Sequence, residues 1–204
     1  VDHDESTNLV GWANLAPALG FAWLWLLPIT VFWGTVFGPL APRSSAAVNT
    51  SPNIRVFMLF GLATLAPMAL PRSCFIIKAP RRAQRLSRLL GVRSFKRFVM
   101  NGDLVLGLAR RGHPGYRALA GRAELAAFFE RTRAVERWHL VLLLMSLFSA
   151  IHALRIGWYG WAAALTAGNV ICNAYPILLQ RYHRARAHVG LRASERGTGT
   201  RTAV

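Results

Sequence analysis

Four apolar blocks alternate with polar, mostly basic segments along the 204 residues. Leu9–Pro42 carries no charged side chain and exceeds the ~20 residues that a helix needs to cross a bilayer. Pro17, Pro28 and Pro39 predict a kink or an interfacial start within it. Val56–Pro71 is uncharged but short. It reaches spanning length only by running past Arg72 to Ile77, so a full span and a re-entrant segment are both open. Trp138–Leu154 and Ile156–Gln180 form the clearest pair. They are joined by Arg155-Ile156-Gly157-Trp158-Tyr159-Gly160, with aromatics at interface depth. Between the second and third blocks, Leu86, Leu89 and Leu90 oppose Arg81, Arg82, Arg85 and Arg88, the spacing of an amphipathic helix on a membrane surface. Gly91 and Asn101-Gly102-Asp103 interrupt that region, and Glu124–His139 reads as a helix continuing into the third span. The expected fold class is all-α: an integral membrane helical bundle of about four transmembrane helices plus cytoplasmic amphipathic helices. Its expected regions are 1–77, an N-terminal membrane region with two apolar segments; 78–137, basic, cytoplasmic and amphipathic; 138–182, a transmembrane hairpin; and 183–204, a basic tail, disordered after Leu191 where Gly, Thr and Arg dominate.

Charge gives these blocks an orientation. The formal net charge is +17, and it is segregated. Lys78–Arg137 holds fifteen Lys/Arg against Asp103, Glu124, Glu130 and Glu136, and the tail from Arg181 holds six Arg against Glu195. Basic segments alternating with apolar blocks point to positive-inside topology and anionic headgroups. They lack the interleaved aromatics and Gly-rich strand of an RNA-binding sheet, so no nucleic acid is expected. The hairpin puts both basic segments on one side, which makes that side cytoplasmic and the location the cell (inner) membrane, multi-pass. The acidic start, Val1–Asn8, is unlike the basic start of a signal peptide. Cys74 and Cys172, both in apolar surroundings and without a CxxC, read as small buried residues, and no metal site is expected.

Polar groups inside apolar segments are costly and mark candidate chemistry. At 100° per residue, Leu125, Phe129, Thr132, Glu136 and His139 fall within one stripe of about 80°. Glu136 and His139 therefore share a buried face, either as an acid/base pair or with Glu136 in a structural ion pair to a neighbouring arginine. On the last span, Asn169, Asn173, Pro176 and Gln180 lie close to one face. Counting outward from Gly157 at ~1.5 Å per residue sets His139 opposite Tyr175, so the two polar stripes meet at one depth. His152 follows His139 by thirteen residues, a spacing seen where one helix serves two haems, but the facing helix offers no in-span histidine. No Gly-x-Ser-x-Gly, His-Glu-x-x-His, P-loop or His-x4-Asp occurs.

Three stretches carry a family resemblance: Leu90-Gly91-Val92-Arg93-Ser94-Phe95-Lys96-Arg97; Phe129-Glu130-Arg131-Thr132-Arg133-Ala134-Val135-Glu136-Arg137-Trp138-His139; and Asn173 through Arg186. In order and spacing the chain from Lys78 onward resembles the small integral-membrane glycosyl-4,4'-diaponeurosporenoate acyltransferases of staphyloxanthin-type carotenoid synthesis. The resemblance implies transfer of a fatty acyl group to a hydroxyl of a lipid-soluble glycoside. Acyl-CoA is the expected co-substrate, and no cofactor is expected. In that setting neutral His139 suits the base, Glu136 would orient its imidazole, and Asn173 and Gln180 would donate to a developing oxyanion. Arg181, Arg184 and Arg186 with the Lys78–Arg97 patch would take the donor's phosphates. The motifs add Arg93, Lys96, Arg133, Tyr175 and Tyr182 as substrate contacts. Expected partners are membrane lipids, the acyl donor and acceptor, and other membrane proteins. A non-catalytic membrane subunit or lipid-binding accessory protein is the competing class. A small transporter fits less well, because no repeat is visible.

Overall fold

A computed structural model describes residues 3–37, 53–99, 102–112 and 122–199. These are all-α, without a strand among them. The helices are α1 (His3–Phe37), α2 (Ile54–Thr64), α3 (Ala66–Ala69), α4 (Pro80–Leu89), α5 (Val92–Phe95), α6 (Asp103–Gly112), α7 (Arg122–Arg155), α8 (Tyr159–Asn169) and α9 (Tyr175–Gly199). Short 3-10 turns occupy Arg72–Phe75 and Lys96–Phe98, and a π turn, Val170–Ala174, links α8 to α9.

Three stretches are long and apolar enough to cross a membrane: Trp12–Phe37, Glu124–Arg155 and Tyr159–Val189. About four were expected. The second block forms the shorter apolar helix Ile54–Ala69. It breaks at Leu65, Pro67 follows, and the chain is extended at Leu70 and Pro71 before the 3-10 turn. By contrast α1 runs on through Pro17 and Pro28. At the other end α9 continues to Gly199, where a disordered tail was expected after Leu191. Cys172 is buried as expected, whereas Cys74 is exposed.

The chain divides into two units. The first comprises Val1–Pro17, Pro71–Glu136 and Ile177–Val204; the second comprises Ala18–Leu70 and Arg137–Pro176.

In the second unit Phe32 is fully buried among Ile29, Val36, Ala150, Ala153, Ala162 and Leu165, with Trp33, Trp158 and Trp161 packed around them. Helices in lipid gain nothing from hiding apolar surface, because the solvent is equally apolar; close packing and interhelical hydrogen bonds hold them instead. The three alanines make room for the Phe32 ring. Two Trp–Ser bonds tie α1 to α7, Trp25 Nε1 to Ser146 Oγ at 2.8 Å and Trp33 Nε1 to Ser149 Oγ at 3.0 Å. His152 stacks on Trp33 with centroids 5.5 Å apart. Phe60 of α2 stacks on Phe148 at 4.2 Å, and Arg137 donates to the Leu70 carbonyl at 2.8 Å, so α2 and α3 line α7 between those points. Outward, Trp23 and Leu62 are 65% and 69% exposed. A patch of that kind is a liability in water and the ordinary surface of a protein in lipid.

The first unit is amphipathic. Val92, Val105, Ile177 and Ala185 are buried, while Leu86 and Leu89 of α4 remain exposed beside its arginines.

The α7–α8 turn depends on Gly157, whose φ is +76°. Its N–H reaches the Leu154 carbonyl and the Trp158 N–H reaches Ala153, a Schellman closure that needs a left-handed residue. Gly157→Ala is expected to lose about 1 kcal/mol, visible as a lower melting temperature in detergent. An unchanged melting temperature would show that the turn does not depend on this residue.

Candidate active site

The predicted stripe on α7 is the buried one. Thr132 and Glu136 are buried, and Leu125, Phe129 and His139 are half-buried. Within the first unit Glu136, at 0% exposure, takes Arg181 Nε on Oε1 at 2.6 Å and Arg184 Nη2 on Oε2. Both carboxylate oxygens are therefore engaged by arginines of α9. The orienting role expected for Glu136 toward His139 gives way to the ion pair that the sequence left open. Arg184 is corrected with it. Expected to bind substrate phosphate, it is 3% exposed and turned onto Glu136, and its Nε and Nη1 have no hydrogen-bond partner among the described residues. Arg133 is occupied locally, by the Phe129 carbonyl at 3.2 Å and by Glu130 at 3.1 Å. Gln180 and Tyr175 are half-buried on α9.

A cavity of about 330 Å³ opens in the same unit, lined by Gln84, Arg88, Arg93, Lys96, Asp103, Tyr182 and Arg186. It gathers four of the expected substrate contacts, Arg93, Lys96, Tyr182 and Arg186. It adds Arg88, a member of the basic Lys78–Arg97 patch expected to take phosphates, and two residues that sequence reasoning missed, Gln84 and Asp103. Arg88 stood in the amphipathic pattern of α4, but no periodicity relates α4 to α6.

The second unit holds a chain of neutral polar groups. Pro176 has no N–H, so the α-helical bond that residue 176 would give to the Cys172 carbonyl is missing. The preceding turn is π, with the Tyr175 N–H reaching Val170. That irregularity turns the buried Asn173 toward α7. A backbone group sets the polarity of the side chains. Asn169 Nδ2 donates to the Leu143 carbonyl at 3.0 Å, so Asn169 Oδ1 faces Asn173 and accepts from its Nδ2 at 2.9 Å. Asn173 Oδ1 then faces His139 Nδ1 at 3.3 Å. The reverse Asn173 amide would accept from Trp25 Nε1 at 2.9 Å and donate to the Cys172 carbonyl at 3.1 Å, but it sets its oxygen 2.9 Å from Asn169 Oδ1. The Leu143 bond, which aims Asn169 Oδ1 at Asn173, argues against it. With Asn173 in this orientation, its Oδ1 accepts from Nδ1, which assigns the proton to Nδ1 and the lone pair to Nε2. Asn169, expected only as one of a polar stripe, is therefore what fixes Asn173.

These elements define a helical protein with three stretches long and apolar enough to cross a membrane, a half-buried imidazole held by an amide in the second unit, and a basic cavity in the first. Residues 71–192 match the family described as glycosyl-4,4'-diaponeurosporenoate acyltransferase. The match covers more than half of the chain, and the chain belongs to that family. Neither a curated protein nor a solved structure matches it.

Removing one partner of a buried ion pair strands the other charge, at about 3–5 kcal/mol. Glu136→Gln is expected to destabilise the protein by that order in detergent unfolding. The apolar swap Glu136→Leu with Arg184→Met is expected to recover most of it. Wild-type stability of Glu136→Gln would mean that the ion pair does not hold α7 to α9.

Proposed function

We propose that this protein is a membrane-embedded acyltransferase, moving a fatty acyl group from a thioester such as acyl-CoA to a hydroxyl of a lipid-soluble acceptor such as a glycosylated carotenoid. The observation that carries the reading is the His139–Asn173–Asn169 chain. A segment that only had to cross a bilayer would gain nothing from these groups, and a base needs its tautomer fixed. Family membership supplies the reaction class. Nε2 of His139 takes the proton of the acceptor hydroxyl as its oxygen attacks the thioester carbonyl carbon. The tetrahedral oxyanion collapses, the carbon–sulfur bond breaks, and the imidazolium gives its proton to the departing sulfur, which leaves as the thiol and returns His139 to its neutral form. The new ester stays in the lipid phase. Asn173 acts on the imidazole. Glu136 is a positioning residue that holds Arg181 and Arg184. The basic segments face the cytoplasm of a cell (inner) membrane, following the positive-inside rule.

The test is mass spectrometry of lipids and pigments from a host expressing the wild-type chain or His139→Ala. The wild type is expected to add an acyl-sized mass to one glycolipid. His139→Ala is expected to lose transfer by about 10²–10⁴-fold, the usual worth of a general base, while membrane insertion stays normal. Asn169→Leu is expected to lower the rate less and to shift its pH profile. Wild-type transfer by well-inserted His139→Ala would sink the mechanism. No changed lipid in either host would favour a non-catalytic subunit.

A further inference from the structure

Four cations, Arg88, Arg93, Lys96 and Arg186, face one cavity in the first unit, with one carboxylate, Asp103. Like charges gathered in a concavity focus a positive field, and a largely buried charge needs a partner. Lys96, whose side chain is 14% exposed, has Asp103 Oδ1 at 2.6 Å from Nζ. The backbone is shaped to bring the two together. Gly102, just before Asp103, packs so tightly that a Cβ would stand 2.2 Å from the Lys96 carbonyl and 2.6 Å from that of Val99. Only glycine allows this return of the chain. Among the described residues no carboxylate pairs with Arg88, Arg93 or Arg186. The cavity thus keeps three cations in excess of those its own acid can neutralise.

We propose that this cavity binds an organic phosphate carrying at least two anionic charges, and that Asp103 competes with the ligand's phosphate for Lys96. Arginine forks suit phosphate oxygens. Gln84 and Tyr182 add neutral hydrogen-bonding groups and an aromatic face, which inorganic phosphate does not require. A carboxylate inside an anion site has a physical use: it keeps Lys96 paired and disfavours weak monoanions, since a ligand must outbid it. The acyltransferase reading bears only on which organic phosphate binds. A coenzyme A ester brings a diphosphate and a ribose phosphate; the phosphomonoester headgroup of a phosphatidic acid brings a multiply charged phosphate from the bilayer.

The test uses the full chain in zwitterionic nanodiscs, titrated calorimetrically with free coenzyme A or inorganic phosphate, and repeated in nanodiscs doped with phosphatidic acid. Coenzyme A is expected to bind at least tenfold tighter than inorganic phosphate. Lys96→Met and the exposed Arg186→Ala are each expected to weaken it about tenfold, and Asp103→Asn to tighten it several-fold. If phosphatidic acid blocks coenzyme A and its own binding falls in Arg186→Ala, the phosphate site stands and its ligand is the headgroup. Equal, weak binding of all three probes would overturn the proposal. Weaker binding by Asp103→Asn would overturn the competition and make Asp103 a ligand contact. Transfer assays on the same proteins separate this inference from the function proposed above. Coenzyme A binding without acyl transfer defeats that function and leaves the site. Wild-type transfer by Arg186→Ala and Lys96→Met, with their binding of coenzyme A also unchanged, defeats the site and leaves the function.

Discussion

A single buried carboxylate makes the basic unit possible. Helix α9 leaves the apolar stretch with Arg181, Arg184 and Arg186, and α7 brings Arg131, Arg133 and Arg137. Two helices so charged repel unless something between them is negative. Glu136 is fully buried and receives two arginines at once. A carboxylate accepting from guanidinium groups makes short, directional, charge-assisted bonds, so the contact fixes the rotation of α9 as well as neutralising it. The arrangement is exacting. Arg184 is nearly as buried as its partner, and a buried pair offsets its desolvation only while both members are present. Tyr182 and Arg186 line the basic cavity from the same helix, so their placement follows from the same contact.

The second unit is held by different physics. Its outward side chains are apolar and exposed, and its inner contacts are small residues, stacked rings and Trp–Ser bonds. In such a setting an irregular backbone is tolerated where other groups satisfy it. Pro176 and the π turn supply the irregularity, and the polar side chains at 139, 169 and 173 gather there.

Much of this was legible in the sequence, and what was not has physical reasons. The apolar blocks marked three crossing-length helices and a fourth, doubtful segment. The stripe through Thr132, Glu136 and His139 followed from helical periodicity alone. Depth counting from Gly157 set His139 opposite Tyr175, two residues from its observed partner Asn173. That arithmetic fixes height along a helix and not rotation, and it assumes an unbroken α-helix. The π turn between Asn169 and Gln180 resets the phase, so the four expected positions are not one continuous stripe. Glu136 was ambiguous because its partners lie 45 and 48 residues away, and only tertiary contact decides between an imidazole and a guanidinium. Asp103 stood in the sequence only as part of the Asn101-Gly102-Asp103 interruption of the basic region. Its role in the cavity depends on the Gly102 turn, a close backbone approach that no periodicity encodes.

The division of labour between neutral and charged groups follows from the cost of charge in hydrocarbon. An ionised side chain within a bilayer is costly unless it is paired or hydrated, whereas amides and a neutral imidazole can satisfy one another. For the acyl transfer proposed above, a proton acceptor for a lipid-phase hydroxyl is best built from uncharged groups, and the proposed one has its orientation set by a backbone carbonyl, Leu143, through Asn169 and Asn173. A carboxylate in the orienting place would hold the imidazole more strongly, but it would bring a net charge into the apolar unit. The sequence does place a carboxylate one turn away, at Glu136, and the fold neutralises it twice over with arginines. What orients His139 is then an asparagine: weaker, but free of the charge that hydrocarbon penalises.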